Sequence, residues 1–450
     1  MNAPRRRFYI RTFGCQMNEY DSRLVKKLLL DRGFEEVSRP EEADIVLVNT
    51  CTVRERADRK ALEFIHTQKK HGKRVLAMGC MAQWMGEELR HHGADWVVGT
   101  GSLALIPEIL EGRSEEMRRV YCENLGQFPE RQALEPGEPF AFLTIMRGCD
   151  HFCTFCIVPR VRGREVSRRH EEILQEARYL ESLGVLELTL LGQNVNTYFD
   201  GDLDFAELLA LLDRETRFLR IRFTSPHPRD ITAKVLMVIR DGQRLTPWIH
   251  LPLQAGSTEV LRRMNRGYTK EEFVAKAHMI REVLGEDAAI TTDIMVGFPG
   301  ETDEDFEKTL DVVRAVQFDG AYMFIYSPRP GTPAARFPDQ VPERVKGLRL
   351  RRLIEVVNQG ILARRQRLVG RTVEVLVEKP ARKSPGFSTG KTWENISAVV
   401  HGLYARGTLV RGVVREIRGL TPVVEVQEAI PPEELRARLG LAPATEGLPA

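Results

Sequence analysis

Three cysteines fall within the run Arg147-Gly148-Cys149-Asp150-His151-Phe152-Cys153-Thr154-Phe155-Cys156. This C-x3-C-x2-C spacing constrains the chain more than any other stretch, because three thiolates on one loop can face a single soft metal centre. A structural zinc site closes with a fourth nearby ligand, and His151 lies at the wrong spacing to supply it. Electron-transfer clusters normally take four cysteines. Three leave one iron of a 4Fe–4S cluster without a protein ligand, and an open iron can be chelated by the amino and carboxylate groups of a small molecule. The loop directly follows a predicted strand, Ala141–Arg147, at the end where β/α barrels place their sites. Cys149, Cys153 and Cys156 are therefore expected to be metal ligands and the catalytic centre. Three unrelated thiols or a zinc knuckle are the bland alternatives.

The chain has seven cysteines in 450 residues, far below the density of a disulfide scaffold. Three of the others share a position. Cys15 follows the predicted strand Phe8–Phe13, Cys51 follows Asp44–Asn49, and Cys80 follows Arg74–Met78. The intervening segments, Tyr20–Leu30 and Arg54–Lys70, carry helical patterns. Strand–helix alternation at this spacing implies a doubly wound α/β sheet, whose parallel strands all end at one edge, where ligands bind. Topology alone would then gather Cys15, Cys51 and Cys80 into a second site with three thiolates and no fourth. Each could also be an ordinary small core residue. Cys122 has no such placement and is read as structural.

Length sets a prior of roughly three domains. After a polar stretch from Gly112 to Pro139, read as a linker, a second alternating series begins. Its predicted strands are Ala141–Arg147, Leu186–Leu191, Leu219–Thr224, Trp248–Leu253, Ala289–Val296 and Ala321–Tyr326. Six β/α units imply a partial barrel, open on one side. Val345–Leu368 reads as one long basic helix with Leu350, Ile354, Val357, Ile361 and Leu368 at helical spacing, closed by Gly370. Short Val-rich strands such as Thr372–Val377 and Leu409–Ile417 follow, and they imply a small antiparallel barrel. The Pro-, Glu- and Ala-rich tail after Ile430 is expected to fray. The fold class is thus α/β multidomain: a doubly wound domain, a partial (β/α)6 barrel and a small β-barrel.

The composition, 42% hydrophobic and 29% charged, is that of a globular protein. The basic start Met1–Arg7 is not followed by an apolar segment, so no signal peptide or membrane span is expected and a cytoplasmic location is the default. The net charge of +3 decides nothing by itself, but its distribution does. Between Gln366 and Gln427 ten Lys or Arg (Arg367, Arg371, Lys379, Arg382, Lys383, Lys391, Arg406, Arg411, Arg415, Arg418) face five Glu. The preceding helix adds Arg344, Lys346, Arg349, Arg351, Arg352, Arg364 and Arg365. Such a basic barrel beside a basic helix is the footprint of a nucleic-acid partner, or else an ordinary solvated face.

The C-x3-C-x2-C spacing with Phe155 before its last cysteine resembles the radical S-adenosylmethionine superfamily. Thr12-Phe13-Gly14-Cys15-Gln16-Met17-Asn18-Glu19-Tyr20-Asp21-Ser22, Asn49-Thr50-Cys51, Leu190-Leu191-Gly192-Gln193-Asn194-Val195-Asn196 and Gly297-Phe298-Pro299-Gly300-Glu301-Thr302 together resemble its methylthiotransferase family, over roughly residues 6 to 427. The resemblance implies an N-terminal methylthiotransferase domain over 5–120, a radical barrel over 135–365 and an RNA-binding TRAM domain, OB-like, over 366–430. It also implies two 4Fe–4S clusters, one on Cys149, Cys153 and Cys156 and one on Cys15, Cys51 and Cys80, with S-adenosylmethionine as the other cofactor. One molecule of that cofactor would methylate the sulfur and a second would be cleaved to a 5′-deoxyadenosyl radical. The implied reaction places a methylthio group on C2 of isopentenyladenosine in the tRNA anticodon loop, with an electron donor such as flavodoxin or ferredoxin.

Gln193, Asn194, Ser225 and Gln254 lie at predicted strand ends facing one mouth, which makes them candidate polar contacts for the cofactor. Thr302 and Asp305 form a predicted capping box. The chain departs from the family pattern at Val158-Pro159-Arg160-Val161-Arg162-Gly163, where many relatives carry a Tyr-Thr pair, and at Thr392-Trp393-Glu394-Asn395. Two rival readings are a methylthiotransferase acting on an aspartate of a ribosomal protein and a non-catalytic iron–sulfur protein that binds RNA or senses redox state. The basic last domain and Gln16-Met17-Asn18 argue against the first, and two open irons argue against the second.

Overall fold

The computed structural model describes residues 6–52, 55–112, 119–123, 132–135, 137–382, 384–441 and 443. Residues 1–5 of the basic start, Arg54, much of the predicted linker, Lys383 and most of the end of the tail lie outside them. The chain packs as two compact units. The first holds the chain up to Leu134 together with Met146–Phe152 and Cys156–Arg168, and the second holds the rest.

In the first unit the described elements are β1 (Arg7–Thr12), α1 (Gln16–Asp31), β2 (Glu35–Glu36), β3 (Ile45–Thr50), α2 (Glu55–Lys70), β4 (Arg74–Gly79), α3 (Cys80–Met85), α4 (Glu88–His91), β5 (Trp96–Val98), α5 (Ile106–Glu111) and β6 (Val120–Tyr121). The sheet order is β2–β1–β3–β4–β5–β6, and every pair is parallel. The apolar run of β3 is buried throughout because both faces are covered. Ile45 and Leu47 pack with Val25 and Leu29 of α1, while Val46 and Val48 pack with Ala61 and Ile65 of α2. Each such side chain contributes ~2 kcal/mol of burial.

The second unit holds β7 (Phe140–Thr144), which continues the predicted Ala141 strand only to Thr144. Its last two predicted residues form β8 (Met146–Arg147) in the first unit, paired antiparallel with β9 (Val166–Ser167), and α6 (Val158–Arg162) lies between them. Next in the second unit come α7 (His170–Ser182), β10 (Glu187–Leu191), α8 (Phe205–Glu215), β11 (Arg220–Phe223), α9 (Ala233–Asp241), β12 (Trp248–His250), α10 (Thr258–Arg263), α11 (Lys270–Leu284), β13 (Ala289–Val296), α12 (Asp303–Val316) and β14 (Gly320–Ile325). The six parallel strands form two three-stranded sheets, β11–β10–β7 and β12–β13–β14, and Ile221 of β11 bridges Leu245 in the segment that leads into β12.

Helix α13 (Glu343–Gln366) buries Leu353, Val357 and Ile361 together with Lys346, Arg349, Arg364 and Arg365. Four of the seven basic residues expected on the basic helix are thus buried, whereas Arg344, Arg351 and Arg352 stay exposed. Arg349 pairs with Glu301 at 2.8 Å, Arg364 with Asp319 at 2.7 Å, and Arg352 pairs with Glu307. Long basic stems bury readily when their heads find carboxylates.

Strands β15 (Thr372–Pro380), β16 (Phe387–Thr392), β17 (Ser397–His401), β18 (Leu409–Arg418) and β19 (Thr421–Ile430) close a five-stranded barrel. Its pairs are antiparallel except for β17 with β19. The described part of the tail does not fray. It forms α14 (Pro432–Leu439), whose Leu435 joins Leu441, Leu186, Leu376 and Leu409 in one apolar cluster between the small barrel and β10.

Candidate metal centres

Three adjacent strands of the first unit, β1, β3 and β4, deliver Cys15, Cys51 and Cys80 to one edge. Cys51 and Cys80 directly follow β3 and β4, and Cys15 stands before α1. Cys15 is exposed, whereas Cys51 and Cys80 are buried. A polar network fixes this edge. Asn18 Nδ2 donates to Asn49 Oδ1 at 2.8 Å and to the Thr50 carbonyl at 3.0 Å, while Asn49 Nδ2 donates to the Asn18 carbonyl at 2.8 Å. Cys15 Sγ lies 3.4 Å from Asn18 Oδ1, and Thr50 Oγ1 donates to the Met78 carbonyl at 2.7 Å. Gly79 takes φ +98°, and a Cβ there would collide with Asn49 Oδ1 and the Thr50 carbonyl. The sequence motifs around the three cysteines are therefore the members of one buried network. Asn18, Asn49 and Thr50 were present in those motifs, but nothing in the sequence assigned them this role.

Three soft thiol donors could hold an iron–sulfur cluster. Burial pushes the Cys80 thiol up to about 11; Arg162 pulls it the other way, and Cys51 and Cys15 add to the rise. The three Sγ atoms do not all lie within 4.8 Å of one another. Around one zinc, with ~2.3 Å bonds and tetrahedral angles, sulfurs stand about 3.8 Å apart.

Arg162, at the end of α6, meets this triad. Its Nε donates to Cys80 Sγ at 3.3 Å and its Nη2 to Asp21 Oδ2 at 2.7 Å, both within the buried interior. Ile157 and Val161 pack on Cys80, and Arg160 lies over Trp84. The departure of Val158–Gly163 from the family pattern thus falls on residues that support the N-terminal triad.

The cysteine loop is held at several points. In the first unit the Cys149 N–H donates to the Gly163 carbonyl at 3.2 Å, and the Val158 N–H donates to Cys156 Sγ at 3.4 Å. In the second unit the Thr154 N–H donates to the Met264 carbonyl at 3.0 Å and its Oγ1 to the Arg263 carbonyl at 2.9 Å. Cys153 is 8% exposed, and Arg266 Nη1 donates to its Sγ at 3.3 Å. Phe155 meets Phe298 edge to face, with ring centroids 6.4 Å apart. Phe298 belongs to the Gly297–Thr302 turn, which Glu301 closes by accepting from the Gly297 N–H at 2.6 Å and from Arg349 at 2.8 Å. The capping box of Thr302 and Asp305 is present. Sequence reasoning missed Arg162, Asp21 and Arg266, whose partners lie far away in the chain.

Among the candidate cofactor contacts, Gln193 lies just beyond β10. Asn194 is 1% exposed, and its side chain already joins two loops by donating to Asp230 at 3.0 Å and accepting from the His227 N–H at 3.2 Å. Ser225 and Gln254 follow β11 and β12 with φ of +59° and +65°. Left-handed backbone at non-glycine residues concentrates at functional sites. The Gln254 N–H donates to the Asp293 carbonyl at 2.8 Å.

Residues 143–313 match the Radical SAM superfamily, and residues 7–99 match a family described as Uncharacterized protein family UPF0004. The chain is 43% identical over 432 residues to the tRNA-2-methylthio-N(6)-dimethylallyladenosine synthase of Moorella thermoacetica, covering 91% of this chain and 96% of that protein. The protein of the same name from Clostridium botulinum (strain Alaska E43 / Type E3) is 41% identical over 441 residues, covering 94% of this chain and 96% of that one. Among solved structures, the radical S-adenosylmethionine methyltransferase TsrM from Kitasatospora setae superposes with a TM-score of 0.58 at 16% identity, covering 74% of this chain and 77% of that one. That likeness concerns the fold alone. With relatives this similar along nearly their whole length, and with the radical superfamily match spanning the second cysteine triad, the chain belongs to the radical S-adenosylmethionine methylthiotransferases, in the family of the tRNA-2-methylthio-N(6)-dimethylallyladenosine synthases.

Proposed function

We propose that this chain replaces the C2 hydrogen of isopentenyladenosine, beside the anticodon of tRNA, with a methylthio group. In this reading Cys149, Cys153 and Cys156 hold one 4Fe–4S cluster, and Cys15, Cys51 and Cys80 hold a second. The observation that carries it is the N-terminal triad: three thiols set at the ends of three adjacent strands by a buried Asn–Asn network. The radical step itself needs one cluster, and the second triad offers a separate place from which sulfur can be delivered. The C2–H bond is neither acidic nor electrophilic, so acid–base catalysis has little purchase on it. When bound, the clusters and S-adenosylmethionine supply a radical that removes this hydrogen and a site from which the methylated sulfur is delivered.

The protein's own residues hold and orient. Arg266 and Thr154 fix the middle of the cysteine loop, and Phe155 against Phe298 fixes its end. Gln193, Asn194, Ser225 and Gln254 are the proposed polar contacts for S-adenosylmethionine, and Asn194 also ties the Gln193 loop to the loop after Ser225. The methylthiotransferase, radical and TRAM domains run over 5–120, 135–365 and 366–430. A cytoplasmic location and a one-electron donor such as flavodoxin or ferredoxin complete the reading. No helix among the described residues is long and apolar enough to cross a membrane.

Nucleoside mass spectrometry of bulk tRNA from a strain lacking the gene tests it. Loss of the methylthio nucleoside with accumulation of isopentenyladenosine is expected. Unchanged tRNA nucleosides, with a methylthio group lost from a ribosomal-protein aspartate, would assign the chain to the protein-modifying sibling.

A further inference from the structure

We propose that Arg162 and Arg266 are matched positioning residues, each setting a buried guanidinium on one ligand sulfur and raising the reduction potential of that cluster. The inference rests on the two-cluster reading above.

The donor–sulfur distance is the same at both sites. Arg162 Nε stands 3.3 Å from Cys80 Sγ, and Arg266 Nη1 stands 3.3 Å from Cys153 Sγ. Both arginines are buried, at 7% and 6% exposure. A buried cation is costly unless an anion and further acceptors meet it. Around Arg266 the acceptors are Tyr268 Oη at 3.1 Å and the Pro252 carbonyl at 3.3 Å, and among the described residues no carboxylate pairs with it. A neutral thiol is a poor acceptor and carries no charge. A metal-bound thiolate supplies the anion that this guanidinium otherwise lacks. Arg162 differs in having Asp21 at 2.7 Å, so its charge is largely balanced before any metal binds.

The sign of the effect follows. Reducing a cluster adds negative charge, and hydrogen bonds to the sulfurs together with local charge set its potential. A guanidinium on a ligand sulfur stabilises the reduced state and raises the potential. Removing Arg162 withdraws the donor and leaves the Asp21 carboxylate unbalanced beside the triad, so both changes lower it. Removing the charge of Asp21 acts in the opposite direction. A space-filling role for these arginines predicts no such reversal.

The test is an EPR-monitored redox titration of the full-length, anaerobically reconstituted protein, with iron measured on each sample. Replacing Cys149, Cys153 and Cys156 with Ala isolates the N-terminal cluster, and replacing Cys15, Cys51 and Cys80 isolates the other. In the first background Arg162→Met should lower the midpoint by at least about tenfold in the reduction equilibrium, about 59 mV for one electron. Asp21→Asn should raise it, and Arg162→Lys should fall between Arg162→Met and the parent. In the second background Arg266→Met should lower the midpoint and Arg162→Met should leave it in place. If Arg162→Met fails to retain iron, the rise with Asp21→Asn still decides the sign. Iron present with unmoved potentials overturns the role of the arginines alone. Absence of iron from the first background in the parent protein overturns the two-cluster reading, and the Arg162 assignment with it.

Discussion

Arg220 reaches from β11 into the small C-terminal barrel and donates to the main-chain carbonyl of Thr392 at 3.2 Å, the same nitrogen lying 2.9 Å from the Lys391 carbonyl. The Trp393 ring covers its guanidinium at 5.8 Å, and Arg222 beside it pairs with Glu187 at 2.7 Å. Within the departure at Thr392–Asn395, Trp393 is the side chain that meets this contact. Arg220→Met removes this donor from both carbonyls; the Thr392 carbonyl keeps the Asn395 N–H at 3.0 Å, so the cost is about 1–3 kcal/mol, that of the Lys391 group. Denaturant unfolding should show a loss of that size. A midpoint equal to the parent's would mean that this contact does not hold the barrels together.

The N-terminal edge makes a sharper demand on one glycine. Gly79 holds φ +98° against Asn49 and Thr50, immediately before Cys80. Gly79→Ala forces a Cβ into the polar network and the backbone out of a region that alanine avoids. Reconstituted Gly79→Ala protein should hold about half the parent's iron while still cleaving S-adenosylmethionine without tRNA. Parent-level iron in this variant would separate the network from metal binding.

Glu301 provides a pH signature. Burial pushes its carboxyl up to about 7, with the Gly297 N–H and Arg349 pulling the other way. The folded protein then keeps a proton that the unfolded chain releases near the ordinary glutamate value of 4.5. The stability linked to that proton is fully present below about pH 4.5 and is lost as pH rises through about 7. Glu301→Gln imitates the protonated form, so its stability relative to the parent should improve steadily as pH is raised from 5 to 7. A difference that stays flat across this range would place the titration elsewhere.

The basic surface is narrower than the sequence implies. Arg371 pairs with Asp287 at 2.7 Å, Arg406 with Glu138 at 2.6 Å and Arg418 with Glu416 at 2.7 Å, and Arg415 pairs with Glu425. Among the described residues Lys379, Arg382 and Arg411 make no ion pair, which leaves them available to phosphate. Arg382→Gln and Arg411→Gln should each weaken tRNA binding and flatten its salt dependence by about one unit of log slope, measured by filter binding across a salt series. Slopes unchanged in both would move the RNA surface off this barrel.

The gathering of Cys15, Cys51 and Cys80 was legible because strand ends in a parallel sheet share an edge, and the strands themselves announce their ends. The buried run Ile45–Thr50 could hardly be anything else. What stayed hidden joins residues across long separations. Arg162 and Cys80 are 82 positions apart, and Arg266 and Cys153 are 113 apart, so no periodicity relates them. The basic residues of helix α13 imply either a nucleic-acid footprint or a solvated face, because charge is usually solvated. Asp319 and Glu301, on other elements, turn Arg364, Arg365 and Arg349 inward. Composition implies a fraying tail after Ile430, but Leu435 and Leu441 complete an apolar cluster that only the folded barrels create.

The central claim, that the two cysteine triads divide the chemistry of one tRNA-modifying enzyme, is met most directly by one assay. Anaerobically reconstituted protein is supplied with reductant, S-adenosylmethionine and tRNA carrying isopentenyladenosine, and both 5′-deoxyadenosine and the methylthio nucleoside are quantified by mass spectrometry. The parent should make both, and only on isopentenylated tRNA. The variant with Cys15, Cys51 and Cys80 replaced by Ala should make 5′-deoxyadenosine alone, and the variant lacking Cys149, Cys153 and Cys156 should make neither. Methylthio product from the first variant, or 5′-deoxyadenosine from the second, would contradict that division.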